Sequence, residues 1–374
     1  MNCRWCSGDL QLQPLLTLRG IPRGAQSLPL REELAHERGV DLIIHRCSDC
    51  DLVQTVGPAV PYHREVLRAN AYSPAMHAFR QEQLSDWVAR HDLTGQPVLE
   101  VGCGRGEFLD LLREAGSLVL GTEHGLEATS VARKKGHTVW TVYPGDGPLP
   151  AHEGFAAWAS FNFMEHWPDP KAVLRSIRQR LRPGAVGLVE VPNFEMMLQQ
   201  RLLTEFIPDH VVYFTEATLR RSLETSGFDV DCIRTIWHGY ILSAEVHLRP
   251  EADLTGFEDQ LQRLSSQLQA FAQRHSAGRM AVWGAGHQAL TTLALADIHT
   301  QVRYVVDSAP FKQGRYTPAT HLPIRPPDAL RQDPVDAVIV MAAGYSDEVL
   351  RIIRQEYSPT LEVAVVRETG LEIA

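Results

Sequence analysis

The stretch Val98-Leu-Glu-Val-Gly-Cys-Gly-Arg-Gly-Glu107 decides the fold. A short, largely apolar run leads into glycines at 102, 104 and 106, and Glu107 then opens a helical pattern that continues to 115. Glycines between a strand and a helix let the backbone turn sharply, and they let a ligand approach the main chain where a Cβ would clash. The segment therefore predicts a strand, a cradle for a nucleotide-like group and a helix. Outward from it, apolar spacing predicts helices over 76–90 and 126–135 and a strand over 118–122. Such alternation implies a parallel sheet with crossover helices.

Farther along, the strand pattern stops near Arg249-Pro250. Residues 256–275 read as a polar helix with Phe257, Leu261, Leu264, Leu268 and Phe271 at helical spacing. Met280-Ala-Val-Trp-Gly-Ala-Gly286 is then a second strand entering a glycine turn. Strand-like runs at Arg303–Asp307 and Asp336–Ala342 follow. A chain of 374 residues exceeds one typical core. The expected division is an N-terminal lobe over 1–70, a cofactor-binding domain over 71–248, and a linker helix with a smaller α/β domain over 249–374.

The lobe is punctuated by Pro14, Pro22, Pro29, Pro58 and Pro61 around two CxxC pairs, Cys3/Cys6 and Cys47/Cys50. Two CxxC turns bring four thiolates together, the donor set of a structural zinc site, without a large core around them. Two disulfides are the alternative reading. No basic flank precedes an apolar core and cleavage site, so export is not expected and a cytoplasmic protein is. Cys103 and Cys232 read as buried thiols. With 36 Lys and Arg against 45 Asp and Glu, the formal charge is −9, which argues against a broad nucleic-acid footprint. No membrane span is expected, and the sequence carries no signal for an oligomeric state.

Two acids refine the glycine loop: Glu100 precedes the first glycine, and Glu123 ends the next strand. A strand-end acid also binds ribose in nicotinamide-dinucleotide enzymes, so the loop alone leaves that cofactor open. The whole pattern resembles class I S-adenosylmethionine-dependent methyltransferases. That resemblance gives Glu100, Gly102, Gly104 and Gly106 to the cofactor and makes Glu123 the ribose ligand. Phe161-Asn-Phe-Met-Glu-His-Trp-Pro-Asp-Pro170, and a helix ending at Arg182-Pro-Gly184 before strand 187–191, resemble further segments of the same class, with Ala185 replacing a glycine. Asp146 and Asp169 read equally as solvated loop acids.

Three features in one order, the CxxC pairs, Phe206-Ile-Pro-Asp-His-Val-Val-Tyr-Phe-Thr215 and Asp307-Ser-Ala-Pro-Phe-Lys-Gln-Gly-Arg-Tyr-Thr-Pro-Ala-Thr320, resemble bacterial nucleotide-sugar C-methyltransferases. The resemblance implies a class I Rossmann-like domain flanked by a zinc lobe and a second Rossmann-like α/β domain. It makes His210 the base that takes a proton from the carbon beside a 4-keto group, with Asp209, His166 and Tyr72 near it. A ketone acidifies that C–H, and a histidine is suited to accept the proton. Tyr213, Lys312, Arg315 and Tyr316 become candidate contacts to a nucleotide sugar; the loop residues read otherwise as solvated.

Departures touch specificity more than fold. Asp209 replaces the family's glutamate, Gln288 stands where lysine is usual, and Ala319 replaces a glycine. Ile21-Pro-Arg-Gly-Ala-Gln26 departs from a "P-L-A-N" segment. Methylation of another small metabolite is the alternative within the enzyme class, and a non-catalytic cofactor-binding module the alternative outside it.

Overall fold

The computed structural model describes every residue except Met1, Ser27, Glu65, 67–72 and Ser358. It divides into two compact units, Met1–Glu251 and Ala252–Ala374. In the first, a seven-stranded sheet runs in the order Phe228–Ile236, Ile241–Leu248, Leu181–Pro192, Phe155–Phe161, Pro97–Val101, Leu118–Glu123, Thr138–Thr141. Ile241–Leu248 is antiparallel to both its neighbours, whereas the pairs from Leu181–Pro192 to Thr138–Thr141 are parallel. The central strand, Phe-Ala-Ala-Trp-Ala-Ser-Phe, is buried at every position because helices cover both faces of the parallel part.

Chain order reverses between Pro97–Val101 and Phe155–Phe161, which lie side by side. In an open α/β sheet a ligand binds outside the carboxyl ends of strands at such a switch point. The glycine loop leaves the first of these strands, and Asn162–His166 leaves the second.

The helix expected to reach Arg182 ends at Arg178 instead. Leu181–Pro192 is one long strand, and Pro183-Gly184 lies inside it. Phe155 faces Leu181 while Ala157 faces Val186, so the strand gains three residues on its partner around Gly184, whose φ is 78°. The Pro-Gly pair therefore makes a bulge in a strand, the position where proline's missing donor and glycine's positive φ cost least.

At the N-terminus, Leu16–Ile21, Val40–Arg46 and Val53–Thr55 form an antiparallel sheet completed by Val212–Tyr213 from the sequence after His210. Trp5 is 2% exposed, meets Phe214 edge-on at 5.8 Å, and donates its indole N–H to the Ser222 carbonyl at 3.1 Å. Lobe and central sheet thus share one apolar core.

The second unit has a six-stranded sheet in the order Ile324–Arg325, Val302–Val306, Met280–Trp283, Ala337–Val340, Glu362–Arg367, Gly370–Ile373, parallel except for the last strand. The polar helix Phe257–Ala272 buries Leu268 and Phe271 in that unit's core. Among the described residues, no helix is long and apolar enough to cross a membrane.

Candidate active site

Each loop glycine meets a local demand. Gly102 has φ 73°, and a Cβ there would lie 2.4 Å from the Phe163 ring. Gly106 has φ 84° and starts helix Glu107–Glu114 without a side-chain cap, leaving the first helical amides turned to the loop. Gly104 bears no such crowding, and its N–H donates to Glu123 Oε2 at 3.0 Å. Glu123 Oε1 accepts from Gly125 N–H at 2.8 Å. One strand-end carboxylate therefore ties the glycine loop to the turn after the next strand. A carboxylate has about four acceptor positions, so ribose hydroxyls can share it with the amides. Glu100 is fully buried in the strand below. The loop glycines and Glu123 fit the polar end of S-adenosylmethionine, whereas Glu100 presents no exposed surface to it.

Beyond Phe161, Asn162 takes φ 48°, and its N–H donates to the Glu190 carbonyl at 2.9 Å. Asn is among the residues that tolerate this conformation. Glu165 and His166 follow, 2% and 4% exposed. His166 Nδ1 lies 2.7 Å from the Asp209 carbonyl. A carbonyl can only accept, so Nδ1 carries the proton and Nε2 the lone pair. The His166 and His210 rings stand 5.0 Å apart at 69°. Burial pushes His166 down to about 4. Burial, with His166 adding to it, pushes His210 down to about 3. Both imidazoles are neutral at pH 7.

Asp209 is turned the other way. Its carboxylate accepts from Tyr62 O–H at 2.7 Å and from Ala25 N–H at 2.9 Å, both in the N-terminal lobe. Burial first, and the Asp209 carboxylate in addition, push the Tyr62 phenol up to about 12. The shorter acid thus anchors its loop to the lobe, and its neighbour His210 faces a cavity of about 810 Å³. Glu165, His166, Asn162, Arg80, Phe108, Trp237 and Tyr240 line the same cavity, as do Ala25 and Gln26 from the lobe. Arg80 is held by Glu190 at 2.5 Å and by Gln83 at 2.7 Å, in a pair that is almost wholly buried.

The remaining candidates fall elsewhere. Tyr72 lies outside the described residues. Tyr213 is 3% exposed, and its hydroxyl donates to the Ile207 carbonyl at 3.3 Å, bracing the turn that carries His210. Asp146 pairs with Arg64 at 2.9 Å. Asp169 caps helix Pro170–Arg178 through the Ala172 N–H. In the second unit, Lys312 donates to Asp307 at 2.8 Å beside a cavity of about 490 Å³, and Arg315 and Tyr316 are exposed. Gln288 accepts the Ala343 N–H at 2.7 Å. Sequence reasoning missed Tyr62 and Arg80. Their partners lie 147 and 110 positions away, and no local pattern marks them.

In the lobe, the sulfurs of Cys3, Cys6, Cys47 and Cys50 all lie within 4.8 Å of one another, with 3.7 Å between Cys3 and Cys50 and 3.4 Å between Cys6 and Cys47. All four are free thiols. Around a tetrahedral ion at about 2.3 Å, sulfurs stand roughly 3.8 Å apart, close to these separations. Backbone N–H groups of Trp5, Gly8 and Asp49 donate to three of the sulfurs, which stabilises thiolate. The four residues fit a zinc ion.

Comparison with known proteins finds methyltransferases. A family model described as a methyltransferase domain matches residues 76–233, and one described as a C-methyltransferase C-terminal domain matches 242–360. The C-methyltransferase NovU of Streptomyces niveus is 24% identical, over 93% of this chain and 91% of its own. A probable S-adenosylmethionine-dependent methyltransferase of Mycolicibacterium smegmatis is 28% identical, over 50% of this chain and 71% of its own. Among solved structures, the magnesium protoporphyrin IX methyltransferase of Synechocystis PCC 6803 with bound SAH aligns with a TM-score of 0.39 at 16% identity. That alignment covers 49% of this chain and 90% of that one. A Clostridium acetobutylicum S-adenosylmethionine-dependent methyltransferase gives 0.40 at 12% identity, covering 49% and 94%. At such scores neither likeness bears on the site.

The sheet order, the glycine loop and the first family model make the chain an S-adenosylmethionine-dependent methyltransferase of class I. The second model, and a relative matched along almost the whole length, carry the assignment further. At this finer level the chain is similar to C-methyltransferases, in its C-terminal domain and along almost its whole length.

Proposed function

We propose that the enzyme methylates the carbon beside a ketone, in a nucleotide-linked 4-keto deoxysugar, with His210 as the proton acceptor. The observation that carries this reading is His210 itself: a neutral imidazole on the wall of a cavity that is also lined by Asn162, just past strand Phe155–Phe161, and by Phe108, on the helix after the glycine loop. His210 removes the proton, and the enolate carbon is left as the nucleophile. The bound cofactor supplies a methyl group on a sulfonium, an electrophile matched to that carbon.

Desolvation holds His210 uncharged; a developing enolate beside it favours the imidazolium and raises its basicity as the proton leaves. His166, fixed through Nδ1, presents its Nε2 side to the same space. Tyr62 and Ala25 set the loop through Asp209, and Phe108, Trp237 and Ile241 give the cavity an apolar wall. Zinc on Cys3, Cys6, Cys47 and Cys50 is proposed as the structural ion of the lobe, and Glu123 as the ribose ligand.

The NovU match over 93% of this chain supports carbon as the methylated atom. The test is turnover with S-adenosylmethionine against thymidine-diphosphate 4-keto deoxysugars in deuterium oxide. Methylation or deuterium wash-in at the carbon beside the ketone, lost in His210→Ala, supports the reading. Cofactor binding with neither outcome on any such sugar overturns the sugar assignment.

A further inference from the structure

The four cysteines are not the only cluster in the molecule with the chemistry of a metal site. Glu165, His166 and His210 offer three ligand atoms within 4.8 Å of one another, and all three side chains line the 810 Å³ cavity. His166 Nε2 is 3.7 Å from Glu165 Oε1. Two imidazoles bound to one tetrahedral ion through bonds of about 2.0–2.1 Å have ring centres roughly 5 Å apart. The two rings here are 5.0 Å apart and inclined at 69°.

The surroundings match the ligand set. His166 Nδ1 is engaged by the Asp209 carbonyl, the outer-sphere contact that fixes the tautomer and aims Nε2 at a cation. Glu165 and His166 are more than nine-tenths buried, so a charge placed between them is only weakly screened by solvent. Two neutral imidazoles and one carboxylate suit zinc, cobalt or nickel better than magnesium or calcium, which prefer oxygen. Three protein ligands leave a fourth position toward the cavity.

We propose that Glu165, His166 and His210 form a divalent transition-metal site inside the acceptor cavity. Filling it takes the lone pair that His210 offers to the substrate proton, so free transition-metal ion and acceptor exclude each other. The existence of the site is independent of the catalytic reading; the mutual exclusion rests on it.

The probe is Co2+, added to the full-length zinc-loaded protein by equilibrium dialysis, with metal analysis and visible absorption. The expected result is one cobalt beyond the lobe's zinc, with d–d bands and without intense sulfur-to-metal charge transfer. Glu165→Gln and His210→Ala, each checked for intact fold by circular dichroism and for unchanged cofactor binding, should weaken that binding at least tenfold. No cobalt beyond the lobe, or equal binding in both variants, overturns the site. In turnover assays Co2+ should raise the acceptor KM and leave the cofactor KM unchanged; an unchanged acceptor KM overturns the exclusion. Should no keto-sugar turn over, the catalytic reading fails while the dialysis result still decides the site.

Discussion

Glu123 and Asp307 occupy the same place in two different sheets. Glu123 ends, and Asp307 directly follows, the strand after a glycine loop, and each ties that loop to the following turn. Glu123 accepts from Gly104 and Gly125, and Asp307 accepts from Ala285 at 2.8 Å and Ala309 at 2.9 Å. The second site adds a cation, since Lys312 reaches Asp307 from the same loop at 2.8 Å. Burial alone would raise Asp307, but Lys312 and the two amides outweigh it and hold the carboxyl below its ordinary value. The glycines differ too. Gly102 is required by a side chain, the Phe163 ring, whereas a Cβ on Gly284 would lie 2.3 Å from the Met341 carbonyl oxygen. The amide-clasped acid therefore belongs to the strand–turn–helix fold, and what distinguishes the two sites is what stands around the acid.

The largest contrast expected between the units is catalytic. His210→Ala should lower turnover by about 10²- to 10⁴-fold, the usual contribution of a positioned proton acceptor, with cofactor affinity unchanged by calorimetry. Retained turnover would move the chemistry away from this cavity. Next in size, Cys47→Ser should abolish stoichiometric zinc by metal analysis and lower the melting temperature, because structural zinc binding is folding free energy. Full metal retention would remove the four-thiolate site.

The third test addresses the two acids directly. Glu123→Ala should weaken S-adenosylmethionine by roughly 10- to 100-fold, as expected when hydrogen bonds to a charged group are lost, each worth about 1.5–3 kcal/mol. Asp307→Ala should leave that affinity unaltered, and equal losses in both would erase the distinction. The smallest effect is expected for Lys312→Ala, about 1 kcal/mol or less of stability in urea titration. Its pH dependence has a definite sign. A depressed carboxyl stabilises above its unfolded value of 3.8 and loses that contribution as pH falls through its lower folded value. The two proteins should therefore differ at neutral pH and converge as pH falls below 3.8.

Much of this arrangement was legible in the chain because it is local. The glycine loop, Glu123 and the alternation of strands and helices are set by residues within a few positions of one another, and the structure places them as that pattern implies. The extent of Leu181–Pro192 was not legible, since Pro183-Gly184 has the composition of a helix-terminating turn and becomes a bulge only through pairing with Phe155–Phe161. The surroundings of His210 were half legible. Its own segment stood out, but Tyr62 and Arg80 reach the site from distant sequence, and neither hydrophobic period nor motif spacing encodes such contacts. Asp169 illustrates the reverse case, an acid inside a motif whose visible duty is to cap a helix.

Strand Val212–Tyr213 is two residues long, yet it carries an obligation out of proportion to its size. It hydrogen-bonds to Val53 and Gln54, three and four residues past the last cysteine, and begins two residues after His210. The pairing gives order in the cysteine lobe a direct backbone route to the His210 loop. If the lobe holds the proposed zinc, reciprocity requires that an acceptor preferring the ordered loop tighten the zinc by the same factor that the zinc tightens the acceptor. Chelation would then act as a long-range antagonist, reaching the reaction through two backbone pairings.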